Sequence, residues 1–242
     1  MIKVEHLFKT LGEEQVLKDV SFEVATGEIL IFLGSSGTGK TVLLKHLIGL
    51  FNPDSGSVFI EGRDITKLSQ AEQLMMRKDF GYLFQEGALY DFMNVFENIA
   101  FPLREHTQHS ETEIRQRVRE VLDMVDLQDV EGKMPSELSG GMKKRVGLAR
   151  AIVLGAKILL CDEPTSGLDP IRSHDISNLI RQIVKKIGAT TVMTSHDIEN
   201  SLRIADRLAI LNEGQIIVIG RKEDLLSCQH PFVKEFLKPS AV

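Results

Sequence analysis

The segment Gly34-Ser35-Ser36-Gly37-Thr38-Gly39-Lys40-Thr41 constrains this chain most, because it stands between an apolar β-type run, EILIFL, and an apolar helical run, VLLKHLIGL. Glycines there let the backbone bend until successive N–H groups face one point, and the helix that follows adds the partial positive charge of its N-terminus. Strand, glycine-rich turn and helix in that order make the P-loop pattern, a cradle for phosphate. Lys40 then pairs with the β- and γ-phosphates of a nucleotide, and the Thr41 hydroxyl ligates Mg²⁺. A loop of this kind belongs to an α/β fold, with helices covering a sheet that has a parallel core.

The rest of the chain agrees with that class. Short apolar runs at 28–33, 81–84, 158–161, 190–194 and 207–212 read as buried strands. Runs at 2–8, 20–24 and 57–60, with turn residues at Gly12, Thr26-Gly27 and Asp54-Ser55-Gly56, read as an antiparallel β subdomain, so the sheet structure is expected to be mixed. No strand is expected over 94–154. Within it, 111–125 sets Ile114, Val118, Val121, Leu122 and Val125 at helical spacing, the mark of an inserted α-helical subdomain. The reading is one domain over 1–242, ending in a short helical tail over 221–242.

Composition narrows the function classes. With 43% hydrophobic and 26% charged residues, and no apolar run near the roughly 18–20 residues that span a bilayer, the chain reads as water-soluble. The N-terminus MIKVEHLFKT reads as a first strand rather than a signal peptide, so a cytoplasmic location is expected, with any membrane role exercised through a partner. A net charge of -5 and a pI of about 5.8 give no global basic footprint for nucleic acid. The short run Lys143-Lys144-Arg145 reads as a solvated helix face, and Cys161 and Cys228 as plain thiols.

A second chemical element is ILLCDE, an apolar strand that delivers Asp162 and Glu163 at its C-terminal end, where ligands of open α/β sheets bind. Asp162 is suited to hold Mg²⁺, and Glu163 to polarise the water that attacks the γ-phosphate. A third is Leu138-Ser139-Gly140-Gly141-Met142 before KKRVGLARAI, where a hydroxyl and unhindered N–H groups at a helix start face a phosphate.

With LSGGM so placed ahead of the acidic strand, the chain resembles the ATP-hydrolysing subunits of ABC transporters, P-loop NTPases of ABC type. The resemblance implies ATP and Mg²⁺ as cofactors and a second copy of the ATPase in a head-to-tail dimer. There Ser139, Gly140 and Gly141 meet the ATP held by the partner's loop. It also implies separate transmembrane permease subunits, with this chain peripheral on the inner face of the cell membrane. Gln85 resembles the Q-loop glutamine that senses Mg²⁺ and the γ-phosphate, Ser166-Gly167-Leu168-Asp169 the D-loop at the dimer contact, and His196 in TSHD the switch histidine.

Three positions depart from the family pattern. Leu11 stands where many members stack an aromatic residue on adenine, which leaves Val16 or Phe8 as the apolar platform and predicts modest discrimination between bases. Val42 lacks the hydroxyl that often meets the α-phosphate, and Met142 replaces glutamine. Together GKTVLLK, LFQEGALYDFMNVFENIAFPL and LSGGMKKRVGLARAI resemble the Mla-type ATPases, which are associated with MCE-type substrate-binding proteins and move phospholipids or other lipids. The run 88–93, ALYDFM, reads as part of a groove for a permease helix, or else as subdomain core. An ABC ATPase acting on nucleic acid is disfavoured by the acidic pI and by the lack of a long coiled-coil insertion or a second cassette. A module that binds nucleotide without turnover is disfavoured by Glu163 and His196.

Overall fold

The computed structural model describes residues 1–238. In chain order it runs β1 (Ile2–Leu11), β2 (Glu14–Val24), β3 (Ile29–Leu33), α1 (Lys40–Leu47), β4 (Ser55–Ile60), β5 (Arg63–Asp64), α2 (Gln70–Arg77) and β6 (Phe80–Leu83). Then follow α3 (Val95–His106), α4 (Glu111–Met124), α5 (Gly140–Ile152), β7 (Ile158–Asp162), α6 (Pro170–Ile187) and β8 (Thr190–Ser195). The chain continues through α7 (Ile198–Ile204), β9 (Arg207–Asn212), β10 (Gln215–Gly220), α8 (Lys222–Ser227) and α9 (Pro231–Phe236). These elements form two compact units, Met1–Gln73 with the chain from Val192 onward, and Leu74–Thr191.

In the first unit, antiparallel pairing gives a sheet of order β2-β1-β4-β5, as the N-terminal pattern leads one to expect, but with longer strands. The turn expected at Ser55-Gly56 is instead the start of β4. Beside this sheet, β3 pairs in parallel with β9, and β9 in antiparallel with β10, so the sheet is mixed. Every residue of β3 is buried, which is why ILIFL carries no polar position. Phe32 meets Phe22 edge-on with ring centroids 4.9 Å apart.

In the second unit β6 and β7 pair in parallel, Phe80 with Ile158 through Leu83 with Cys161. The strand expected to include Phe84 ends one residue earlier and leaves that ring 43% exposed. The stretch 94–154 holds α3, α4, a 3₁₀ turn and α5, with no strand. Helix α4 starts in a capping box between Ser110 and Glu113, a device that contributes about 1 kcal/mol, and it buries Ile114, Val118, Val121 and Leu122 on one side. The helical tail is present as α8 and α9, while 239–242 of that expected stretch lie outside the described residues. Among the described residues no helix is long and apolar enough to cross a membrane.

Helix α1 buries His46, whose Nδ1 donates to the Val42 carbonyl at 2.8 Å. Desolvation holds its pKa below the ordinary histidine value. The unfolded chain therefore binds a proton first as pH falls, and stability present above the unfolded value of about 6.5 declines below it. We expect His46→Gln, which keeps the donor, to lose less stability in urea unfolding between about pH 7.5 and 5.5 than the parent. Equal losses would remove His46 as the cause.

Candidate nucleotide-binding site

The loop after β3 is held open by its own groups. Gly37 and Gly39 take φ of 83° and 99°, and Gly39 caps the start of α1. A left-handed backbone of this kind is costly for any residue with a side chain. Gly39 is also hemmed in, because a Cβ there would stand 2.8 Å from the Val16 carbonyl oxygen. Lys40 Nζ donates to the carbonyl oxygens of Gly34 at 2.7 Å and Ser35 at 3.0 Å, and Thr38 Oγ1 donates to Ser35 at 2.9 Å. The lysine thus arches over the loop with its ammonium on backbone oxygens.

Of the candidates for the base platform, Val16 lies against this loop through its Cγ1 and carbonyl. Leu11 pairs with Glu14 at the end of the β1–β2 hairpin, 41% exposed, and Phe8 pairs with Ser55 of β4. The same unit carries His196, the first exposed residue after the buried strand β8. Its neighbours are fixed: Ser195 Oγ accepts the Asp197 N–H at 2.9 Å, and the Asp197 carboxylate caps α7 through the Asn200 N–H at 3.0 Å.

The second unit holds the acids. Asp162 ends β7 almost fully buried, and the Tyr82 hydroxyl of β6 donates to its Oδ2 at 3.4 Å. Burial and the Asp162 charge push the Tyr82 phenol far above its ordinary pKa, so it stays a neutral donor. Glu163, next along, sits at φ 47°, a strained position for a residue with a side chain. Its carbonyl accepts the Ser166 N–H at 3.1 Å, which bends the chain sharply after the strand.

Gln85 is exposed in a turn closed by the Gly87 N–H on the Phe84 carbonyl at 2.9 Å. Ser166 Oγ donates to the Gln85 carbonyl at 3.4 Å, and Lys144 Nζ donates to that same Oγ at 3.4 Å. Lys144 is buried, so the basic run 143–145 is no solvated face. Burial lowers the Lys144 pKa, opposed by the charges of Glu86 and Glu163, and Arg145 turns instead to the Val125 carbonyl at 2.8 Å. Sequence reasoning missed Tyr82 and Lys144. The run itself held the signal for Lys144, since three successive helical residues at about 100° each cannot all face water.

At the start of α5, Ser139 Oγ accepts the Met142 N–H at 3.3 Å, which still leaves the hydroxyl proton to donate. Ser139 and Gly140 are exposed, and nothing lies within 4 Å of a Cβ built on Gly141. Asp169 caps α6 by accepting the Arg172 N–H at 3.0 Å. The first unit therefore carries the phosphate loop, Val16 and His196. The second carries Gln85, Ser139, Asp162, Glu163 and Asp169. The Thr41 hydroxyl, the Asp162 carboxylate and the Gln85 amide oxygen are hard donors of the kind Mg²⁺ takes beside nucleotide phosphates.

Residues 17–166 match the family described as ABC transporter. The probable ribonucleotide transport ATP-binding protein mkl of Mycobacterium leprae (strain TN) is 46% identical over 236 residues, which cover 98% of this chain and 68% of that protein. The intermembrane phospholipid transport system ATP-binding protein MlaF of Haemophilus influenzae is 41% identical, covering 98% of this chain and 90% of that one. The methionine import ATP-binding protein MetN of Carboxydothermus hydrogenoformans is 42% identical, covering 98% and 71%. A solved structure, the dimeric post-hydrolysis state of the ATP-binding cassette MJ0796 bound to ADP and Pi, superposes with a TM-score of 0.83 at 30% identity over 91% of this chain and 98% of that chain. With the loop, the acidic strand and the helix-start motif all formed, the chain belongs to the ABC transporter family, as an ATP-binding and ATP-hydrolysing subunit.

Proposed function

We propose that this ATPase drives phospholipid or related lipid transport through separate permease subunits, working at the inner face of the cell membrane with an MCE-type substrate-binding protein. The observation that supports this is the 41% identity, over 98% of the chain, to a relative named for intermembrane phospholipid transport. In this reading two copies close head to tail over two ATP molecules. Each ATP is held by residues 34–41 of one copy and by Ser139, Gly140 and Gly141 of the other. Glu163 orients and deprotonates the attacking water, and His196 steadies it against the γ-phosphate. Lys40 holds the transferring phosphoryl group, and Asp169 lies at the contact between copies. Thr41, Asp162 and Gln85 hold Mg²⁺, which supplies neutralising charge for the phosphates when bound.

Relatives named for methionine import favour a second reading, an importer of a small polar solute. Purification of the chain with its membrane subunits, followed by reconstitution into vesicles, separates the two. ATP-dependent movement of labelled phospholipid is expected; ATP-dependent methionine uptake without lipid movement would overturn the lipid reading. The surface that meets the permease includes Tyr90 and Phe92, which are 39% and 77% exposed, and that exposure favours a docking role over subdomain core. Truncating such aromatic anchors removes about 2 kcal/mol or more of docking energy. Tyr90→Ser with Phe92→Ser should therefore cut permease-stimulated ATPase by roughly tenfold or more, without unfolding the protein. Full stimulation in that variant would place the permease elsewhere.

A further inference from the structure

Helix α5 lies on the segment after Gln85 with almost no side chain between them. A Cβ on Gly147 would stand 3.1 Å from the Gly87 Cα and one on Gly87 3.0 Å from the Lys143 carbonyl oxygen, and the helix lies as close on the preceding strand β6, where a Cβ on Gly81 would stand 2.4 Å from the Ala151 carbonyl oxygen. Surfaces packed this closely move together or not at all. Arg150 closes the contact: one guanidinium nitrogen donates to the Ala88 carbonyl at 2.9 Å and another to the Gly87 carbonyl at 2.7 Å. Its guanidinium carbon lies 5.5 Å from the Tyr90 ring centroid. This planar fork is available to arginine and not to lysine.

The same segment is gripped from α3. Asn98 Oδ1 accepts the Tyr90 N–H at 2.8 Å, and its Nδ2 donates to the carbonyls of Tyr90 at 3.1 Å and Met93 at 2.9 Å. Gly147 and Arg150 of α5 meet Gly87, Ala88 and Tyr90, and Lys144, one turn earlier, reaches the Gln85 carbonyl through Ser166 Oγ, so one face of α5 follows the chain from Gln85 to Tyr90.

We propose that Arg150 is a positioning residue that locks α5 to residues 87–90, so that a phosphate met at the start of α5 shifts Tyr90 and Phe92. The proposal rests on reading Ser139, Gly140 and Gly141 as phosphate-facing. Releasing the lock would take the Arg150 donors from the Gly87 and Ala88 carbonyls, a cost that keeps the segment in step with α5.

A nitroxide on Asp91→Cys in a Cys228→Ser background reports the segment directly, because Cys161 is fully buried. The assembled transporter is titrated with Mg²⁺ and a non-hydrolysable ATP analogue. In the parent the analogue is expected to change the spectrum of the label. Arg150→Lys and Gly147→Ala should each reduce that change by about fivefold and lower permease-stimulated kcat, with KM for ATP within about twofold of the parent. A full spectral response in both variants would overturn the lock. A parent that binds the analogue without any spectral change would instead overturn the phosphate-facing reading beneath it.

Discussion

Replacing Glu163 with glutamine lowers ATP turnover by a factor on the order of 10²–10⁴, the contribution of a positioned general base, and leaves ATP binding intact. The substitution keeps the size of the side chain and removes only its proton acceptor, so the bend at φ 47° persists. Binding rests on other groups, the loop amides and Lys40, which lie in the other unit of the chain. Unhydrolysed ATP should then hold two copies together, visible as a dimer in size-exclusion chromatography with ATP and Mg²⁺. Phosphate release at the parental rate would strip Glu163 of its role, and loss of ATP binding would show that it shapes the pocket instead.

Gly39→Ala should weaken ATP binding by a factor on the order of 10–100, because a side chain in the left-handed region costs roughly 1–3 kcal/mol. The new Cβ also meets the Val16 carbonyl oxygen at 2.8 Å and the Leu17 Cδ2 at 3.0 Å. Both neighbours belong to β2, and the carbonyl cannot rotate out of the way, so the loop must deform where it should cradle phosphate. Gly37→Ala is the internal control: its φ of 83° carries a similar backbone cost, but nothing lies within 4 Å of its Cβ. Titration with a fluorescent ATP analogue should rank the parent tightest, Gly37→Ala next and Gly39→Ala weakest. Equal losses in the two variants would attribute the effect to backbone conformation alone.

How much was legible depended on whether the signal was local. The turn from β3 into α1 announced itself because glycine, lysine and threonine must occur in one order for the chemistry to work, and α4 because its apolar spacing lies within fifteen consecutive residues, 111–125. Strand β10 was missed although Glu213 and Gly214, both at positive φ, form the two-residue turn that joins β9 to it. Helix α6 was missed although Asp169-Pro170 opens it and Gly188 closes it. The partners of Arg150 and Lys144 were beyond reach, because Ala88 and Ser166 come to α5 only through packing between segments distant in sequence.

The pairing of β3 with β9 has a consequence for biosynthesis. Ile29 donates its backbone N–H to Asp206, 177 residues later, so the strand that leads into the phosphate loop cannot complete its neighbourhood until most of the chain has left the ribosome. At about 5–20 residues per second that wait lasts roughly 10–35 s. Throughout it ILIFL, an apolar β-forming run, lacks its partner strand, while Leu74–Thr191 is contiguous and is complete before Asp206 is made. The nascent protein should therefore acquire its helical, acid-bearing unit first and its phosphate loop last. During synthesis its exposure to aggregation, and its need for a chaperone, centre on the five residues of β3.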